Sequence, residues 1–81
     1  MVISKYRDVL EVVVKAMDYI YKNGIKYYIA KTTIAFEAGD IVVQFGEGQT
    51  RHCACQNAFD TAMSKLHIPA YQIEDKVWFS D

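Results

Sequence analysis

The residues best suited to chemistry lie close together: His52, Cys53 and Cys55, with Asp60 a little further on and His67 beyond. Two thiols and an imidazole so near one another suggest zinc. Zinc sites, however, draw their ligands from two separated pairs, and these thiols are spaced C-x-C with no second pair. A thiol at a helix start also suits a nucleophile, provided a base lies within hydrogen-bond reach. Adjacent helical residues are splayed by about 100°, which takes His52 away from Cys53, and His67 would lie roughly 20 Å along the helix axis. The pattern gives no catalytic residue, no metal site and no cofactor, and it predicts a chain that is not an enzyme. Gly46-Glu47-Gly48 ahead of a helix could cradle phosphate, but a dinucleotide fingerprint needs three glycines inside a parallel unit that opens on a strand. Here the glycines read as turn residues.

Aromatic residues are the remaining candidates. Tyr19, Tyr21, Tyr27, Tyr28, Tyr71, Trp78 and Phe79 are more than the core of an 81-residue chain can enclose. Exposed Tyr and Trp are the usual anchors of protein interfaces. Trp78, Tyr71, Tyr27 and Tyr21 are therefore the candidate partner-binding residues, for another protein or for a second copy in a homodimer. Composition agrees with a folded, single-domain chain: 52% of residues are apolar, and nine Lys and Arg against ten Asp and Glu leave a net charge of −1. That balance argues against phosphate binding by the whole surface. No run reaches the length of a membrane span, and the opening residues lack the basic region and cleavage site of a signal peptide, so the expected location is cytoplasmic.

Several elements must position these residues. Tyr6, Val9, Leu10, Val13, Met17 and Ile20 recur at three-and-four spacing, which predicts a helix from Ser4 to Lys22 stopped by Asn23-Gly24. The β-branched run Val12-Val13-Val14 favours a strand over 9–14 as the competing assignment. After Gly24 the period falls to two. Tyr28 to Glu37 and Asp40 to Phe45 read as a hairpin turning at Ala38-Gly39, with Ile34 and Phe36 on one face and Ile41, Val43 and Phe45 pointing together. Gly46-Glu47-Gly48 is expected to break the sheet. Thr50 caps a second helix that runs to about Leu66, ahead of Pro69, with Ala54, Cys55, Ala58, Ala62 and Leu66 inward and Cys53, Asn57 and Asp60 outward. Residues 70–79 form a last strand or a small hairpin; if the core takes Tyr71, Ile73, Val77 and Phe79, alternation leaves Trp78 on the opposite side. The expected fold is α+β, in the order α-β-β-α-β with an optional last strand, a small antiparallel sheet carrying both helices on one face.

The stretch from Thr33 to Leu66 resembles the C-terminal half of a double-stranded-RNA-binding domain, in which a hairpin leads through a Gly-x-Gly loop into a capped helix with inward alanines. Gly46, Gly48, Thr50, Ala54, Ala58 and Leu66 match those positions. The resemblance implies a nucleic-acid-binding alternative carried by Thr50, Arg51 and His52. The family's basic cluster is reduced here to Arg51 and His52, with Cys55 at its third basic position, and its minor-groove loop has no counterpart. The same glycine, threonine and alanine spacing is similar to that of small bacterial antitoxins, which bind proteins. Leu66 to Phe79 is also similar to the wing of excisionase-type DNA-binding domains, although Glu74-Asp75 stands where that wing is basic or glycine-rich. These observations together predict a non-enzymatic protein-binding module, a regulator or inhibitor of the antitoxin or phage-encoded kind. Duplex-RNA binding is the alternative.

Overall fold

The structure, a computed structural model, describes residues 9–69, 71 and 73–80. The described chain is α+β: strands β1 (Val9–Lys22), β2 (Ile25–Phe36) and β3 (Ile41–Gly48), a helix α1 (Arg51–Leu66), a 3₁₀ turn (Glu74–Lys76) and a short strand β4 (Val77–Ser80). The sheet order is β3-β2-β1-β4.

The first element is a strand where a helix over 4–22 was expected; Ser4 to Asp8 lie outside the described residues. The apolar residues taken as one helical stripe divide between two sheet faces. Val12 and Val14 are wholly buried, while Val13 between them points the other way. Three consecutive valines suit a pleated strand better than a helix. Asn23-Gly24, read as a helix stop, is instead a two-residue hairpin turn with φ of 53° and 77°. Both residues take left-handed geometry, as a type I′ turn requires, and Lys22 is paired with Ile25 across it. The local signal was legible and its context was not: Asn-Gly serves a helix end and a hairpin equally well.

The second hairpin turns at residues 37–40, with Gly39 at φ 101° and its N–H donating to the Phe36 carbonyl at 2.9 Å. Gly46-Glu47-Gly48 does not break the sheet. It is the end of β3, paired with Ala30, Ile29 and Tyr28. The glycines are there for packing. A Cβ on Gly46 would stand 2.7 Å from the Ala58 Cα, and one on Gly48 would stand 2.7 Å from the Ala54 nitrogen. Backbone meets backbone where α1 crosses β3, and the inward alanines Ala54, Ala58 and Ala62, all fully buried, keep that approach close.

Thr50 caps α1 as expected, its hydroxyl accepting from the Cys53 N–H at 3.0 Å. The helix ends at Leu66 because His67 turns left-handed (φ 56°) and donates back into the last turn. Among the described residues this is the one α-helix, so the arrangement with two helices on one face is not observed. The sheet is also mixed, not antiparallel. β3 runs parallel to β1, α1 carries the chain back, and the returning β4 must run in the same direction as β3, so it pairs in parallel with β1. The tail thus forms a 3₁₀ turn and one strand, not a second hairpin; residues 70 and 72 lie outside the described set.

The core lies between α1 and one face of the sheet. Val12, Val14, Ala30, Ile34 and Phe36 face Ala54, Cys55, Ala58, Phe59, Ala62 and Met63, with Ile68 and Ile73 closing its edge. Thr32 is buried at the centre of this face with no hydrogen-bond partner for its hydroxyl.

Candidate protein-binding face

One helix covers one side of the sheet, and the described residues put nothing on the other side. The ladder registers show what that outer face carries. Trp78, Val13, Thr33 and Val43 form a row across all four strands. Beside it lie Glu11, Ala35 and Ile41 on one flank and Ser80, Lys15, Lys31 and Phe45 on the other. Four of these apolar side chains are strongly exposed: Ile41 at 65%, Trp78 at 62%, Phe45 at 56% and Val43 at 40%. Scattered exposed apolar residues are ordinary, whereas a cluster of them on one sheet face is the kind of patch that interaction surfaces commonly present.

The sheet also projects an arm. β3 reaches only to Gly48, opposite Tyr28, while β1 and β2 continue to Lys22 and Ile25 and help give the described chain a 46 Å long axis. Met17 is an extra residue between the pairs Ala16–Ala30 and Asp18–Ile29, a bulge that resets the alternation of β1. Beyond it, Asp18, Ile20 and Lys22 share the outer face with Ile29, Tyr27 and Ile25. Lys22 lies over the Tyr27 ring at 5.4 Å and pairs with Glu47 at 2.5 Å. The helix side of the arm carries Tyr19, Tyr21, Tyr28 and Lys26, with Arg51 approaching from α1. Lys26 sits 4.3 Å from the Tyr19 ring centre and 4.9 Å from that of Tyr28. Hydrogen bonding to the Tyr28 side chain holds its ammonium above the ordinary lysine value, against a smaller opposing effect of desolvation.

The predicted site residues are therefore spread over several places. Trp78 stands in the centre row of the outer face, and Tyr27 lies on that same face along the arm. Tyr21 is on the opposite side of the arm, edge-to-face with Tyr19 at 6.0 Å. Tyr71 is exposed in the connection between α1 and β4. At the helix start, the Thr50 hydroxyl is used by the cap, Arg51 lies 5.6 Å from the Tyr28 ring, and His52 is exposed.

Sequence reasoning missed the outer-face residues Val13, Ile41, Val43 and Phe45. The β3 alternation is plain in the sequence; which of its faces is covered is not. A signal was present: Gly46 and Gly48 are in phase with Val42 and Gln44, and two glycines at this spacing mark the side a helix approaches closely. That leaves Ile41, Val43 and Phe45 outside.

Among the described residues no group of three or more His, Cys, Asp and Glu could hold a metal, and no helix is long and apolar enough to cross a membrane. Cys53 is exposed and Cys55 is buried. No known protein family, no curated protein and no solved structure matches the chain.

Proposed function

We propose that the chain is a non-enzymatic protein-binding module that works by covering a partner's surface with the outer face of its sheet, as a regulator or inhibitor would. The observation that carries this reading is the row Trp78–Val13–Thr33–Val43, flanked by Ile41 and Phe45 and left open by the single helix on the far side. Such a face pairs a large aromatic anchor with β-branched neighbours on a preformed sheet, and charged residues surround it as a polar rim surrounds an interface core. The test is position-specific photocrosslinking in the native host, with the photoreactive residue at Val43 or, on the outward side of α1, at Asp60. The reading expects adducts from Val43 that disappear with Trp78→Ala, a change that leaves the fold intact and weakens binding by at least about 2 kcal/mol. Adducts from Asp60 alone would overturn it.

A second reading is favoured by the arm, where Lys26 and Arg51 lie among Tyr19, Tyr21 and Tyr28 close to the start of α1. Cations interleaved with aromatic rings suit a nucleic-acid backbone and bases. On this reading Arg51→Ala lowers duplex- or single-stranded RNA affinity and flattens its salt dependence by about one unit of slope. No RNA binding at low salt removes it.

A further inference from the structure

The partner that the outer face fits is a second copy of this chain. We infer that two chains pack outer face to outer face about a two-fold axis that crosses the strands beside the Met17 bulge; this rests on the reading of that face as the binding surface. The first observation is a charge pattern. Along β1 the outer-face residues are Glu11, Val13, Lys15, then Asp18, Ile20 and Lys22 after the bulge. Reversed end to end, that pattern is its own electrostatic complement: Glu11 meets Lys22 of the other copy, Val13 meets Ile20, and Lys15 meets Asp18, each contact made twice by symmetry. Isologous interfaces require this kind of self-complementarity.

Strand β2 carries a matching pattern in size. Reversal about the same axis brings Ala35 against Ile25 and Thr33 against Tyr27, a small side chain facing a large one, and lays the aliphatic stem of Lys31 against Ile29. The arm of each copy then lies over Val13 and Thr33 of the other, the two middle positions of the row, with Trp78 and Val43 at its two margins, and covers apolar surface that the single chain leaves in water.

The third observation is an unpaired like-charge contact. Lys15 and Lys31 stand directly opposite each other in neighbouring strands, an arrangement that destabilises a sheet, and the one ion pair among the described residues is Lys22–Glu47. The two-fold arrangement gives Lys15 the partner's Asp18 as its opposite charge. The footprint is about 35 Å long and 10–15 Å wide from strand geometry, which buries on the order of 1,000 Å² in total. That is the area at which specific association begins.

The experiment measures mass by sedimentation equilibrium from about 1 to 200 μM, the range suited to an interface of this size. The wild-type chain is expected to dimerise. Lys15→Glu and Asp18→Lys each place like charges in contact twice and weaken the dimer by at least about tenfold. Both sites are exposed, and thermal melts confirm that each variant folds. Mixed together, Lys15→Glu and Asp18→Lys chains restore opposite charges at both contacts, so the mixture recovers a heterodimer near wild-type strength. Recovery in the mixture is the outcome that another surface would not produce. A wild-type chain that stays monomeric overturns the inference alone, leaving the face to a different protein that crosslinking at Val43 can report. A dimer indifferent to both charge reversals overturns the inference and assigns self-association elsewhere.

Discussion

Gly46→Ala tests the packing that leaves the outer face open. An added Cβ would stand 2.7 Å from the Ala58 Cα and 2.7 Å from the Asn57 carbonyl carbon. Carbon atoms rest at about 3.5–4.0 Å, so strand and helix must part by about 1 Å, and a gap of that size forfeits a quarter to a half of each contact's attraction. The obstacle is helix backbone, which has no rotamer to change, so the displacement spreads to neighbouring contacts at Ala54 and Ala62. It also pulls on the bond from the Asn57 amide to the Glu47 carbonyl, 2.7 Å long. Overpacking of this kind costs about 1–3 kcal/mol and the strained hydrogen bond about 1 more, which gives about 2–4 kcal/mol. A domain of this length has about 4–12 kcal/mol in total, so the loss is a large fraction of stability. Urea unfolding followed by far-ultraviolet circular dichroism should show a much lower midpoint with an unchanged slope. Ala58→Gly in the same chain should not rescue it, because the clash is with backbone and not with the alanine methyl. An unchanged midpoint for Gly46→Ala would refute the placement of α1 against β3.

Three further outcomes follow from the same packing. Thr32→Val should raise stability by about 1 kcal/mol in a thermal melt, since it replaces a buried hydroxyl without a partner by a methyl of the same shape; a lower melting temperature would mean that the hydroxyl is satisfied. Asn57→Ala, nearly neutral by its outward position on the helical wheel, should cost about 1 kcal/mol in urea because its amide ties α1 to the β3 backbone. A thiol reagent should label exposed Cys53 quickly and buried Cys55 only at the rate of unfolding, and mass spectrometry showing two fast sites would contradict the assigned helix face.

Local signals with a single structural meaning were legible in the chain. The β2–β3 hairpin, the Thr50 cap and the inward stripe Ala54–Ala58–Ala62 follow from period, capping chemistry and side-chain size. Signals with two meanings went to the wrong one. Val9, Val13 and Ile20 keep a helical spacing because β1 carries two irregularities, at Leu10 and at Met17, whose extra residues shift the alternation and hide its period of two. The parallel pairing of β4 is a property of topology, set by where α1 returns the chain, and no local pattern encodes it. For the candidate face, alternation put Trp78 opposite Val77 and Phe79, as found. The row it joins depends on interstrand register, which brings residues 13, 33, 43 and 78 together and lies beyond any local reading.

The central claim is that the outer face is open in the single chain and covered in the complex, and the one tryptophan of the sequence reports on it directly. Trp78 fluorescence, with its emission maximum and its quenching by iodide, should be read in dilute protein and again as chain concentration is raised. The expected result is a red-shifted, readily quenched Trp78 in the dilute chain that shifts to the blue and becomes protected as the face is covered. A Trp78 already protected when dilute, or one that stays fully quenchable in an associated complex, would contradict the account.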